Sequence, residues 1–378
     1  MSSLLRPQIF SSARDLPPEW DVLALAQSNT MSRAFWQVVE EGELGNFACR
    51  YALFYDAAGK EAAVAGFYEV TTDIAIFAPP FLRKFLQKIR KVFPNFLKLR
   101  MLECGTPVTL NSPPFAARPD IDPTAVVAAL HQLLQSIARQ EGHLLIVVRD
   151  FEPEAFALKP LFTARGYHWV QSLPNTYLTI HWDSPDAYLA AMKSYFRSKT
   201  LKHLKRNPGV RHQLVEGFQD LAETLWRQWM IVHTQADEFQ REILSPAFYR
   251  SFATHMGAEA KALLFYREEK LVGHVLLLKD GPTLRWLYFG REEAVNDSLY
   301  LYAAHKAVET AILLGAKKVE MGLTTYPIKL DLGAEPAPIR LAIKATTNWL
   351  NPLVGFFYPL MNHLPEVQGR DVFKKKAF

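Results

Sequence analysis

Residues 263–329 read LLFYREEKLVGHVLLLKDGPTLRWLYFGREEAVNDSLYLYAAHKAVETAILLGAKKVEMGLTTYPIK. Three apolar, β-prone runs are separated by the turns Arg267–Lys270 and Lys279–Pro282, which predicts a three-stranded meander. Asn296, Asp297 and Ser298 then stand where a helix would be capped, and apolar residues continue at helical spacing until Gly315 stops them. Lys317–Leu323 follows as a further short strand, ending at Gly322 with Tyr326 and Lys329 downstream. A meander feeding a helix and another strand requires a mixed sheet with helical cover, an α/β (α+β) fold.

Upstream of this stretch, Ser184-Pro185-Asp186 marks a helix start, and Asn207-Pro208-Gly209 a stop, so one helix is expected over 186–206. A strand at 210–218 and helices near 218–235 and 245–256 complete the second half. The first half repeats the plan. A helix at 31–41 precedes a hairpin, FACRYALFYD and EAAVAGFYEV, joined through Gly59. A basic amphipathic helix is expected over 81–93, ended by Pro94. Asp122 and Pro123 open a helix that Gly142 closes, and HLLIVVRDF reads as a buried, parallel-type strand. Domains are therefore expected at 1–182 and 183–345, with an aromatic tail at 346–378.

The 378 residues suit two such units, and 49% hydrophobic against 21% charged residues excludes long disordered stretches. Cys49 and Cys104 form no CxxC pair, so no metal is expected and a reducing, cytoplasmic setting fits. No run of 18 apolar residues predicts a spanning helix. The net charge of +5 is concentrated in 83–100, 193–211 and Lys374–Lys376. Such clusters suit phosphates or an anionic membrane face, or are solvated helix faces. Nucleic acid is not expected, because the basic residues alternate with packed apolar ones rather than exposed aromatics.

The meander with Gly273, the Asn/Asp/Ser loop before a Gly-terminated helix, and the strand into Gly322 with Tyr326 and Lys329 resemble the second domain of FemAB-like and BioF2-like members of the GNAT superfamily. The basic helix carrying Tyr195, Arg197, Lys199, Lys202 and Arg206 is similar to the one that opens that domain. The resemblance spans 183–335 and extends more loosely over 30–180. It implies tandem GNAT-like domains, each a twisted mixed sheet flanked by helices, the first degenerate and the second catalytic. It also implies N-acyl transfer from a thioester to an amine. The Arg/Gln-x-x-Gly-x-Gly/Ala loop of simple acetyl-CoA enzymes is replaced by Arg291–Ser298, so acyl-CoA, an acyl carrier protein and aminoacyl-tRNA all stay open as donors.

Such chemistry needs a neutral amine, a cradle for donor phosphates, a hydrogen bond to the oxyanion and an acid for the leaving thiolate. Asn296, Asp297 and Ser298 are candidates for the cradle at a helix N-terminus, or are caps only. Tyr326 and Lys329 are donor-binding candidates through the resemblance. Strand 284–290 is expected to supply an oxyanion donor from its backbone. Glu320, a carboxylate on an apolar strand, is a candidate base, since burying it unpaired is costly. His274 and Tyr288 are candidates for proton transfer, each with a core-packing alternative. No permanently bound cofactor is expected; acyl-CoA would be a co-substrate.

Segments 81–100 and 349–364 carry basic and aromatic residues in the pattern of an interfacial surface, or they pack on the sheets. A membrane contact would favour a lipid acceptor such as a sphingoid base, at the inner membrane face. An aminoacyl-tRNA-dependent peptidoglycan transferase and a non-catalytic lipid- or partner-binding protein are the competing expectations.

Overall fold

The computed structural model describes all residues except 1–4, 46, 74–87, 94–95, 97, 109, 236–241, 294–297, 362–363 and 376–378. Its strands are β1 (Arg6–Phe10), β2 (Ala48–Tyr55), β3 (Glu61–Asp73), β4 (Lys98–Cys104), β5 (Ala116–Ala117), β6 (Leu145–Phe151), β7 (His168–Gln171), β8 (Asn175–Thr179), β9 (Val210–Val215), β10 (Ala260–Arg267), β11 (Lys270–Asp280), β12 (Thr283–Arg291), β13 (Lys318–Glu320), β14 (Glu335–Ala337) and β15 (Arg340–Ala345). The helices are α1 (Pro18–Ala24), α2 (Arg33–Glu41), α3 (Pro123–Glu141), α4 (Lys159–Thr163), α5 (Pro185–Ala191), α6 (Ser194–Leu204), α7 (Ala222–Gln235), α8 (Pro246–Met256), α9 (Leu299–Leu313), α10 (Tyr326–Asp331) and α11 (Asn351–Met361).

The strands form two sheets of one pattern. The first runs β1-β2-β3-β4-β6-β15-β7, with β5 beside β3; the second runs β9-β10-β11-β12-β13-β8-β14. In each, four antiparallel strands lead to one parallel neighbour, β4 to β6 or β12 to β13. An antiparallel pair then closes each edge. The expected tandem, mixed-sheet fold is present. The halves are not separable at 182/183, however. Strand β8, from the first half, sits inside the second sheet, and β15, from the second half, sits inside the first. Each half thus lends its last strand to the other, and the Pro-rich stretch before the tail holds β14 and β15.

Local signals act as read at several ends. Asp122 accepts from Thr124 N at 2.8 Å, Pro123 opens α3, and Gly142 ends it at φ 74°. Ser245 caps α8 through Phe248 N at 3.1 Å. The single helix expected over 186–206 is instead two, α5 and α6. Met192, between them, is extended and fully buried. The C-terminal segment takes its neighbours' backbone groups: Lys193 N donates to Val372 O at 2.9 Å and Lys374 N to Ala191 O at 3.0 Å. Of the helix expected over 81–93, residues 81–87 lie outside the described residues, and Lys88–Arg90 are helical.

Alternation along the strands separates the cores. Leu276 and Leu278 of β11 face a helical layer shared by both halves, where α1 and α2 meet α7 and α8 around Trp20, Phe35, Phe248 and Phe252. Val275 and Leu277 face α9 through Ala303, Ala307 and Ala311. Helix α3 covers the other face of the first sheet. In the shared layer the contact is tight at Gly66 of β3, where an added Cβ would lie 2.1 Å from Trp36 Cζ2. Gly66→Ala is therefore expected to lower stability by about 3 kcal/mol, read from denaturant midpoints. A loss below about 0.5 kcal/mol would show that Trp36 moves aside freely.

Candidate active site

Strands β12 and β13 pair only over Thr283–Arg285 with Lys318–Glu320. Beyond Arg285, β12 continues to Arg291 bonded to β11 alone, with Leu287 inserted between the pairs Leu277–Trp286 and Leu276–Tyr288. The bulge re-aims the strand. From Trp286 onward the β13-facing edge of β12 has no ladder partner among the described residues. A gap opens there at the carboxyl end of β12, the strand from which a backbone hydrogen-bond donor is expected.

The gap has an aromatic wall and a polar one. Trp286 and Phe289 of β12 pack against Tyr300 of α9, with ring centroids 5.6 and 5.1 Å apart. Across from them runs the loop after β13. A Cβ on Gly322 would lie 3.8 Å from Trp286 O and 4.0 Å from Lys329 Nζ. Gly322 has φ 75°, and Thr324 and Thr325 have φ 62° and 48°, values that β-branched residues rarely adopt. Lys329 holds this strained loop. Its ammonium donates to Gly322 O at 3.0 Å and Leu323 O at 2.6 Å. The residue is only 4% exposed. Burial drives its pKa down to about 7, with Glu320 acting the other way. Tyr326, at the start of α10, donates to Pro174 O at 2.9 Å; burial pushes its pKa up to about 12.

Ser298 precedes α9 at φ 67° and makes no side-chain cap bond. Its Oγ instead accepts from Arg206 Nη1 at 3.2 Å. Ser298 thus leaves the start of α9 uncapped by its own side chain, with the Arg206 guanidinium beside it. Asn296 and Asp297 lie outside the described residues.

The other candidates are placed differently. Glu320 points into the contact between the halves, not into the gap. It accepts from Asn175 Nδ2 at 2.7 Å, from Asn111 N at 3.2 Å and from Arg285 Nη1. Arg285 also donates to Asp280 Oδ2 at 2.7 Å and Asn111 O at 2.7 Å, and Asp280 accepts from Ser28 and Asn29. Burial works against the Arg285 charge, but Glu320 and Asp280 outweigh it and raise its pKa. Every oxygen of Glu320 is engaged in a clamp between halves, which corrects the expectation of a base. His274 is wholly buried on the α7/α8 face. Its Nε2 meets Tyr249 OH at 3.1 Å, and its Nδ1 meets Gln228 Oε1 at 3.0 Å. Burial lowers its pKa to about 3, and it fills the space left by Gly290. It is a satisfied core histidine, which corrects its expected role in proton transfer. Tyr288, beside the bulge, donates to Glu242 Oε1 at 2.6 Å and packs on Trp229 and Phe248. Lys329 and the loop it holds border the gap, Tyr326 follows that loop and bonds Pro174, and Ser298 opens α9 against Arg206; Tyr288 lies on the opposite face.

Sequence reading missed Arg285, Asn175, Asn111 and Asp280, whose partners lie up to 252 positions away. It also missed what fills the matching place in the first sheet. Where β4 and β6 separate after Cys104 and Val148, Arg149 packs on Gly105 and donates to Thr106 O at 2.9 Å and Tyr68 OH at 3.0 Å. Its side chain occupies the place that is open between β12 and β13. Elsewhere, Glu69, Glu141 and His143 group donor atoms of a cation-binding type, but Arg50 and Arg100 already pair with those carboxylates.

The fold and this gap define a tandem GNAT-type protein. The FemAB-like family model, described as peptidoglycan biosynthesis/recognition, matches residues 17–342. The chain belongs to the FemAB-like family, whose type and fold are those of acyltransferases. A Mycobacterium tuberculosis (strain H37Rv) protein assigned as 8-amino-7-oxononanoate synthase 2 is 26% identical over 327 residues, covering 83% of this chain and 42% of that protein. The chain therefore spans under half the length of the curated relatives it matches. Among solved structures, the C-terminal domain of a protein assigned as lysylphosphatidylglycerol synthetase from Agrobacterium fabrum superposes with TM-score 0.54 at 10% identity, covering 90% of this chain and 95% of that one. FemX gives 0.54 at 14% identity, covering 89% and 96%. A tandem GNAT protein of the clavulanic acid pathway gives 0.50 at 12% identity, covering 91% and 99%. At these identities the likeness concerns the fold.

Proposed function

We propose that the chain is an N-acyltransferase moving an acyl group from a thioester donor, acyl-CoA or an acyl carrier protein, to an amine. The observation that carries this reading is the gap between β12 and β13, walled by aromatic rings and by the strained loop that Lys329 holds. The thioester would lie along β12 beyond its pairing with β13, where a backbone N–H would meet developing charge on the carbonyl oxygen. The donor's phosphates would meet the α9 N-terminus beside Ser298 and Arg206. The acceptor nitrogen attacks the carbonyl carbon, and collapse of the tetrahedral intermediate breaks the C–S bond. The nitrogen loses one proton and the thiolate gains one. Lys329, neutral in about half the molecules near pH 7, has the pKa to accept the first. Tyr288, which donates to Glu242, stands on the opposite face of the bulged strand.

A lipid amine such as a sphingoid base is the proposed acceptor, met at the inner membrane face from the cytoplasm. Supporting this, Val92, Phe93, Phe96, Trp349, Leu353, Phe356 and Phe357 are exposed within the two segments flagged by their basic and aromatic pattern, 81–100 and 349–364. Among the described residues no helix is long and apolar enough to cross a membrane. A second reading, aminoacyl-tRNA-dependent transfer to a peptidoglycan precursor, is favoured by the family's description. Against it, the longest helix of the second half among the described residues is the 15-residue α9, with no coiled-coil arm.

A thermal-shift series with coenzyme A, acetyl-CoA and palmitoyl-CoA tests the donor. At a hundredfold excess over Kd, binding stabilises by about 2.7 kcal/mol, and a rise of roughly 3–6 °C is expected with palmitoyl-CoA. No shift with any thioester sinks the acyl-CoA reading.

A further inference from the structure

We infer that the groove between the outer edges of the two sheets is the acceptor subsite, and that it takes a single-chain amphiphile bearing a primary amine. This assignment rests on the transferase reading above. Strands β7 and β14 each end their sheet, and each is bonded on one side only. Between them lies a groove of about 680 Å³, within the usual range of small-molecule sites. Its walls come from both halves: Val170 of β7, Pro336 of β14, Tyr358 of α11, and the segment from Leu364 to Gln368. Tyr358 OH donates to Gln171 O at 3.4 Å, and Gly369 approaches Pro336 Cδ, so helix and tail close the groove against both edges.

Three observations point to the occupant. First, Val170, Pro336, Leu364 and Val367 give the walls an apolar part that suits a hydrocarbon chain, beside the polar Gln171 and Gln368. Second, Glu366 is the one charged residue lining the groove among the described residues, in a chain whose net charge is +5. Its exposed carboxylate would attract an ammonium and repel an anionic headgroup. Third, the groove wall is bonded to the loop that borders the gap. Pro174 in its wall accepts from Tyr326 OH at 2.9 Å. Two residues on, Thr176 Oγ donates to Gly322 O at 2.7 Å, the same carbonyl that Lys329 holds. An amine entering along the β7 and β14 edges would arrive at Tyr326 and the Lys329 loop, opposite the wall of β12. Tyr358 belongs to the helix whose Phe356 and Phe357 are exposed, so the groove opens beside the aromatic surface.

Decylamine, decanol and ethanolamine serve as probes, titrated calorimetrically into the full chain. Decylamine is expected to bind, with decanol and ethanolamine at least tenfold weaker, because each lacks one half of the recognised chemistry. Glu366→Gln should weaken decylamine at least tenfold, and Glu366→Lys should abolish its binding. Glu269→Gln, at a carboxylate 95% exposed on the far edge, should change nothing. Decylamine binding to Glu366→Lys within twofold of the wild type would overturn the assignment, as would equal binding of decanol. The donor melts separate the two ideas. If palmitoyl-CoA still raises Tm while Glu366→Lys leaves the amine bound, the groove assignment falls and the transferase reading stands. If the amine requires Glu366 and no thioester shifts the melt, the transferase reading falls and the groove remains an amine site.

Discussion

Arg285→Met is expected to lower the stability of the whole chain by about 3–5 kcal/mol, the cost of leaving buried charges without their partner. Arg285, Asp280 and Glu320 have side chains only 12%, 9% and 2% exposed. Removing the guanidinium leaves two carboxylates facing each other in a contact that also uses Ser28, Asn29, Asn111 and Asn175. The loss should appear as a lower denaturant midpoint. Because the clamp joins segments from both halves, fluorescence and circular dichroism should report one shared transition. An apolar replacement of all three charges should recover much of the loss, since such swaps are often neutral or stabilising. A change below 1 kcal/mol in Arg285→Met would mean that water reaches the site.

Lys329→Met is expected to slow acyl transfer by about 10²–10⁴-fold, the usual contribution of one general base, while palmitoyl-CoA still raises Tm. The wild-type rate should climb as pH rises toward 7 and level off above it, because the active form is the neutral amine and burial brings the pKa to about 7. Lys329→Arg should not rescue the rate, since a guanidinium stays protonated. Stability carries the same signature. Between about 7 and 10.5 the unfolded lysine holds a proton that the folded one lacks, so folding stability rises with pH across that window. The methionine variant should lose that slope. A variant that keeps the rate within threefold removes Lys329 from the chemistry; a rate loss without a flattened pH profile reduces it to a peg for the Gly322 loop.

Much of the fold was legible because its signals are local. The meander turns, the Asp122–Pro123 start and the Gly142 stop each depend on residues a few positions apart. Glu320 stood out as a carboxylate on an apolar strand, and burial was rightly inferred. Its partner was not legible, since Arg285 lies on a different strand and Asn111 and Asn175 come from the other half. The break at Met192 was equally hidden, as it depends on backbone supplied by residues 372–374. Lys329 and Tyr326 were found through the family pattern, but the lowered lysine pKa arises from burial that no sequence period displays. Short strands without alternation, such as β14 with its central proline and β15, gave no signal of the exchange between sheets.

That exchange bears on how such a chain can change over generations. The sheet that carries the gap takes β8 from the half whose own gap Arg149 fills. Deleting the first half would strip β13 and β14 of the strand between them. Deleting the second would take β15 from between β6 and β7. The half in which Arg149 fills the place between β4 and β6 thus completes the sheet of its twin. The smallest heritable and foldable unit is the pair, and neither member can be shuffled into another gene alone.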